Sequence, residues 1–165
     1  MKNKSTMYIG IIGGTRCSKE TSTVAFETGK LIAEQGWILV CGGMGGVMEA
    51  ACKGAQSGNG VTIGILPGGN RDQANSYLTY TIATGLGEVR NSIVVKSSDA
   101  LIAFEGSYGT LSEIAFANIS GKPVVSLHSW KIYTEHNKGN VLFVGEADTP
   151  AQAIKMVKEE LILRF

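Results

Sequence analysis

Short, unbroken apolar runs recur along the chain, separated by segments in which apolar residues return every three or four positions. The runs are Met7 to Ile12, Trp37 to Cys41, Val61 to Leu66, Ala100 to Phe104, Pro123 to Leu127 and Val141 to Val144. Apolar runs without alternation predict strands covered on both faces, as in a parallel sheet between helical layers. In the first intervening segment Val24, Ala25, Thr28, Leu31 and Ile32 fall on one helical stripe, and Gly36 supplies the stop. The same pattern predicts helices over about Val47 to Ser57, ending at Gly58, over about Glu88 to Lys96, and over Leu111 to Ser120, ending at Gly121. A last helix opens at Thr149-Pro150-Ala151-Gln152, where Thr caps, Pro suits the first helical position and Gln closes a capping box. Strands alternating with helices predict right-handed βαβ crossovers and an α/β fold, a Rossmann-like doubly wound parallel sheet flanked by helices. Asn70 to Glu88, bracketed by Gly68-Gly69, Gly85 and Gly87, carries no regular pattern.

At 165 residues the chain has the length of one ordinary domain, and no linker-like stretch divides it, so residues 1–165 are expected to form a single nucleotide- or phosphate-binding domain. Lys and Arg number 15 against 14 for Asp and Glu, leaving no bulk field to recruit nucleic acid or an anionic membrane. Any anion site must be local, and the expected partner is a phosphorylated small molecule. The three cysteines, Cys17, Cys41 and Cys52, form no CxxC pair and suit a reducing compartment. Met1 to Thr6 are polar and no apolar run is long enough to span a bilayer, so the expected location is the cytoplasm.

Ligands of doubly wound sheets bind outside the carboxyl ends of the strands. Three glycine turns fall there: Gly13-Gly14-Thr15 after the first run, Gly42-Gly43-Met44-Gly45-Gly46 after the second, and Glu105-Gly106-Ser107-Tyr108-Gly109-Thr110 after the fourth. Such turns aim backbone N–H groups and helix N-termini at an anion, although any one of them has a purely conformational explanation. No GxxxxGK[ST] is present, the first turn lacks the GxGxxG order, and the second run ends at Cys41 without an acid for a ribose. Walker-type and ordinary NAD sites are therefore disfavoured.

Arg90 and Glu113 are the charged candidates. Arg90 lies in the first turn of a helix, where a cation is disfavoured by the dipole; it has a phosphate or carboxylate partner or is simply a solvated surface residue. Glu113 stands three residues after Thr110, so it is either a site residue or the end of a Thr-x-x-Glu capping box. His128 and His136 have no partners at metal-ligand spacing, and no metal centre is expected.

The stretches Cys41-GGMGGVMEAACKGA, Ile65-LPGGN and Thr84-GLGEVRNSIVVKSSDALIAFEGSYGTLSEIAFA resemble the molybdenum cofactor carrier protein family and, more distantly, the LONELY GUY type of cytokinin-activating phosphoribohydrolases, long mislabelled as lysine decarboxylases. The likeness covers nearly the whole chain. It implies a Rossmann-like fold and a homo-oligomer, a dimer or tetramer. In the phosphoribohydrolases a Pro-Gly-Gly-x-Gly-Thr-x-x-Glu motif binds phosphate and supplies a catalytic Glu, with a partner Arg one helix earlier. By that resemblance Glu113 and Arg90 take those places, and Gly106, Gly109 and Thr110 match the phosphate loop.

Two departures matter. Glu105-Gly106-Ser107 stands where the hydrolases have Pro-Gly-Gly, and Asn91 where they carry a Lys. A carboxylate beside an anion site repels phosphate unless it turns away or meets a ligand donor. Both changes suit a protein that needs no oxocarbenium stabilisation. The leading expectation is a carrier of a phosphorylated pterin or nucleotide-like ligand, with no cofactor required and the molybdenum cofactor as a candidate cargo. The alternative is a hydrolase cleaving the N-glycosidic bond of nucleoside 5′-monophosphates, with Arg90 and Glu113 catalytic.

Overall fold

A computed structural model describes residues 6–133 and 143–164. Seven strands, β1 (Tyr8–Ile12), β2 (Ile38–Cys41), β3 (Thr62–Leu66), β4 (Tyr80–Ala83), β5 (Ala100–Ala103), β6 (Val124–Leu127) and β7 (Gly145–Ala147), form one sheet in the order β4-β3-β2-β1-β5-β6-β7. Every pairing is parallel. From β1 the chain winds outward through β2, β3 and β4, then returns to place β5 on the other side of β1. This is the doubly wound, Rossmann-like α/β architecture expected from the apolar runs.

The crossovers are α1 (Lys19–Glu34), α2 (Val47–Ser57), α3 (Asn91–Lys96) and α4 (Tyr108–Ile119), with α5 (Pro150–Arg164) closing the described chain. Side-chain alternation along the strands divides the core into two layers. Ile9, Ile11, Leu39, Cys41, Ala100, Ile102 and Phe104 face α1, α2 and α5, where Ala25, Ile32, Ala51, Cys52, Ile154 and Val157 meet them. Ile12, Val40, Ile65, Leu101 and Ala103 face α3 and α4 and meet Val94, Val95, Ile114 and Ala117. Both faces of the sheet are therefore sealed, which is why the central strands are apolar throughout. Among the described residues no helix is long and apolar enough to cross a membrane.

Five local features differ from the sequence reading. The segment without regular pattern contains β4, an edge strand whose residues Tyr80 and Ile82 are exposed. Its position depends on β3, where Gly64 leaves room for the Leu78 side chain. The expected helix from Glu88 begins as a 3-10 turn, Gly87–Arg90, and becomes α-helical only at Asn91. Helix α4 starts at Tyr108, three positions before the expected Leu111. The last strand is Gly145–Ala147, just beyond the apolar run; Val141 and Leu142 of that run lie outside the described residues, while the Val144 N–H donates to Val124 O at 3.0 Å. The cap of α5 forms as expected at Thr149, whose Oγ1 accepts from the Gln152 N–H at 3.2 Å, but the Gln152 side chain reaches one residue further back and accepts from the Asp148 N–H at 3.0 Å.

Candidate functional site

Strand order reverses between β1 and β5, so the connections leaving these two neighbours diverge to opposite faces and a crevice opens beyond their ends. The glycine turns build its rim. Gly14 N–H donates to Glu105 O at 2.9 Å, and Val47 N–H donates to Gly14 O at 3.0 Å, so the turns after β1, β2 and β5 are tied into one hydrogen-bonded unit. Crowding at these turns explains two of the glycines: a Cβ at Gly46 would collide with the backbone oxygen of Gly14, and one at Gly106 with the Thr110 side chain.

This tying consumes donors that the sequence suggested for a ligand. The N–H groups of Gly14 and Val47 are committed to backbone, and Gly43 N–H lies 3.4 Å from Cys41 Sγ. Further donors lie at the start of α4. Its N-cap, Ser107, makes no side-chain cap bond. The amides of Tyr108, Gly109 and Thr110, in the first turn, have no intrahelical acceptor, and the helix dipole adds partial positive charge there.

The crevice is a cleft of about 480 Å³. Gly13, Gly14, Thr15, Met44 and Met48 line one side; Glu88, Arg90, Asn91, Ser107, Tyr108, Gly109, Thr110, Ser112 and Glu113 line the other. Of the expected ligand residues, Gly42, Gly43, Gly45, Gly46, Glu105 and Gly106 are absent from its wall. Gly43 adopts φ +76° and its carbonyl accepts from the Asn75 N–H at 2.9 Å, so its duty is conformational. Gly46 lines a second cavity. The Glu105 carboxylate is turned aside: its Oε1 accepts a 2.6 Å hydrogen bond from Thr21 Oγ1 on α1.

Arg90 and Glu113 meet at the floor. Arg90 Nη1 and Glu113 Oε1 are 3.7 Å apart, and both side chains are almost fully buried. The solvated-arginine reading is thereby overturned. So is the capping box: α4 begins at Tyr108, which places Thr110 inside the first turn and Glu113 beyond it, where the cap geometry is out of reach. Burial pushes the Glu113 carboxyl up to about 8; Arg90 pulls the other way, while Cys41 and Glu88 add to the rise. At 3.7 Å the pair is too long for a hydrogen bond, so the attraction falls short of the cost of removing the carboxylate from water.

Asn91 takes part as a structural link. Arg90 Nη1 donates to Asn91 Oδ1, Asn91 Nδ2 donates to Ser112 Oγ at 3.0 Å, and Ser112 Oγ donates to Gly109 O at 2.7 Å. The chain connects the buried guanidinium to the first turn of α4. Arg90 Nε is buried without a hydrogen-bond partner. Beneath the second turn the Sγ atoms of Cys41 and Cys52 lie 3.6 Å apart. The hydrogen bond from Cys52 holds the Cys41 thiol below its usual range, and the same contact raises that of Cys52. Ser112, Met48, Glu88 and the Thr21 contact to Glu105 carried no signal in the sequence, because only the packing of α1, α2, α4 and the 3-10 turn around the crevice brings them in. Among the described residues no group of three His, Cys, Asp or Glu side chains is placed to hold a metal ion. His136 lies outside the described residues.

The molybdenum cofactor binding protein of the phototrophic bacterium Rippkaea orientalis superposes with a TM-score of 0.86 at 37% identity, over 96% of this chain and 99% of that one. The molybdenum cofactor carrier protein of Chlamydomonas reinhardtii superposes with a TM-score of 0.80 at 34% identity, over 95% of this chain and 99% of the other. A cytokinin riboside 5′-monophosphate phosphoribohydrolase of Mycobacterium tuberculosis is 35% identical over 121 residues, 67% of this chain and 64% of the enzyme. A profile of the SLOG cluster4 family matches residues 6–154, and the chain belongs to that family.

Proposed function

We propose that this protein binds and carries a phosphorylated pterin or nucleotide-like small molecule, with the molybdenum cofactor as its cargo. The observation that carries this reading is the cleft itself, with an uncapped α4 N-terminus at its rim and the buried Arg90–Glu113 pair at its floor. A phosphoryl group meets the amides of Tyr108, Gly109 and Thr110. Glu113, held protonated near neutral pH, both donates and accepts hydrogen bonds, as the polar edge of a fused heterocycle requires. Tyr108 is 82% exposed at the mouth, its ring 6.4 Å from that of Trp130, and offers an aromatic face.

The Glu105 and Asn91 departures fit this reading. With its carboxylate held by Thr21, Glu105 does not stand in the wall of the phosphate cleft, and Asn91 spends its amide on Ser112. No lysine charge is needed where no cation-like transition state forms. The similarity to two proteins named for the molybdenum cofactor, over nearly their full length, supports the same conclusion. The protein works in the cytoplasm as a homo-oligomer, a dimer or tetramer.

The second reading, N-glycosidic hydrolysis of a nucleoside 5′-monophosphate, is favoured by one feature. Glu113 holds a proton that a general acid could pass to a leaving base, beside an Arg placed to orient it. Incubating the protein with AMP and following free base by chromatography separates the two. A carrier releases none above background, and mass spectrometry of the native protein shows a copurified phosphorylated pterin. Steady base release that disappears in Glu113→Ala would overturn the carrier reading.

A further inference from the structure

Besides Glu105, which Thr21 turns aside, the α4 cleft has a carboxylate that nothing holds away. Glu88, in the 3-10 turn Gly87–Arg90, is exposed and lines the cleft wall. A Cβ built on Gly109, the second residue of α4, would lie 3.9 Å from Glu88 Oε2, so the carboxylate stands beside the first turn of that helix. Its charge also reaches Glu113, whose carboxyl it pushes upward. Among the described residues no cation lies within 4.0 Å of Glu88 and no hydrogen bond involves its side chain. The other titratable or charged side chains of the wall are Arg90, Glu113 and Tyr108. Arg90 faces Glu113 and Asn91 through Nη1, and Glu113 is held protonated near neutral pH, so neither pairs with Glu88.

An acid beside a helix N-terminus complements the dipole, which accounts for Glu88 as a structural residue. It does not account for Glu88 beside a phosphoryl group. On the reading of the α4 cleft given above, on which this inference rests, the ligand's phosphoryl group is held by the first-turn amides and comes next to this carboxylate. A bare dianion there meets a charge of its own sign. The conflict disappears when the anion brings a donor, because an ionised carboxylate only accepts hydrogen bonds. A protonated phosphoryl group has one: its P–O–H donates to the carboxylate in a charge-assisted hydrogen bond, while its other oxygens accept from the amides.

We propose that Glu88 is a specificity-determining residue that selects a phosphoryl group carrying a proton, the monoanion of a phosphate monoester, and rejects oxyanions without a hydroxyl. The second proton of a phosphate monoester leaves with a pKa of roughly 6, so at neutral pH the ligand takes one proton from solvent into the hydrogen bond with Glu88. No bond to phosphorus forms or breaks. The α4 amides fix the phosphoryl group and Glu88 reads its proton. Sulfate, with the shape and charge of hydrogen phosphate but no proton to donate, is the anion excluded.

The test compares inorganic phosphate with sulfate on the full chain, at a pH where phosphate is mainly the dianion, so that the two anions differ by the proton alone. Glu113, at about 8, titrates in the same range but acts alike on two anions of equal charge and cancels in their ratio. Chemical shifts of the Ser107 to Thr110 amides report the α4 site and give each affinity. The wild type should bind phosphate about tenfold or more tighter than sulfate, the scale of one charge-assisted hydrogen bond. Glu88→Gln, which keeps the size and removes the charge, should bring the ratio to about one, chiefly by admitting sulfate. If Glu88 serves only the helix dipole, Glu88→Gln melts lower with the ratio unchanged, and the proposal falls. A wild-type ratio near one would also overturn it, while both anions still binding at α4 would leave the reading of the cleft intact. Amides silent to both anions in both proteins would overturn the α4 reading itself, and this inference with it.

Discussion

The guanidinium of Arg90 occupies the space that a side chain at Gly42 would fill: a Cβ there would stand 2.8 Å from Nη2 and 2.9 Å from Nη1. Glycine at the end of β2 is therefore what lets a buried cation reach Glu113. Gly42→Ala should push Arg90 out of its seat and destabilise the fold by ~1–3 kcal/mol, the usual cost of overpacking, with loss of binding in the cleft. Thermal melting and calorimetry with AMP check both effects; a variant with wild-type stability and affinity would show that the guanidinium position is unimportant.

Gly109 separates binding from folding. A Cβ there meets nothing closer than Asn91 Nδ2 at 3.8 Å, so a side chain fits. Gly109→Asp adds negative charge in the first turn of α4, which favours the helix by ~0.3–1 kcal/mol while repelling a phosphoryl group. The expected result is a folded protein, no less stable than wild type, with phosphate-ligand affinity abolished. Retained affinity would remove the α4 amides from the site. Gly43→Asp is not an equivalent test, because its φ of +76° and a Cβ contact of 3.0 Å to Leu66 make it a folding lesion.

Thr21→Val removes the hydrogen bond that holds the Glu105 carboxylate aside. Freed, the carboxylate should weaken anion binding at α4 by about fivefold, the size of one unit-charge repulsion near 4 Å in water. Adding Glu105→Gln should restore the affinity. Equal binding by Thr21→Val and wild type in calorimetry would mean that Glu105 was never a threat to the site.

Glu113 sets a pH dependence. Its folded-state value of about 8 lies above its ordinary 4.5, so the folded chain holds a proton that the unfolded chain releases between those values. Its contribution to stability is full below about 4.5 and is lost as pH rises through about 8. Glu113→Gln, which cannot ionise, should flatten the fall in melting temperature over that window relative to wild type. Parallel curves for the two proteins would place the Glu113 carboxyl in its usual range.

Leu86 just before the 3-10 turn, Val89 on it and Ile119 at the end of α4 are 50%, 67% and 81% exposed, apolar side chains that assembly with a second copy of the chain is expected to cover. Light scattering should return a dimer or tetramer mass at micromolar concentration. Ile119→Glu, which lies outside the cleft, should shift that mass downward. A monomer mass for the wild type would contradict assembly.

The apolar runs determined the architecture without help from tertiary contacts, because a strand sealed on both faces must be apolar at every position; Ile9 to Ile12 and Leu101 to Phe104 show this directly. The glycine turns marked the sheet edge at which the cleft opens for a similar reason, since a tight strand-to-helix connection demands glycine locally. What each turn does was decided only by packing. Gly42 faces the Arg90 guanidinium from the distant 3-10 turn, Gly46 and Gly14 hold the turns together, and the first turn of α4 keeps amides without an intrahelical acceptor. Whether Glu113 closes a cap likewise hung on a three-residue shift in the start of α4, which the Thr-x-x-Glu spacing alone does not resolve. Edge strand β4, half-exposed and short, has no pattern of its own and exists because β3 offers it hydrogen bonds. The pairing of Thr21 with Glu105 spans 84 positions, and nothing in the sequence connects two residues that meet only because β1 and β5 are neighbours in the sheet.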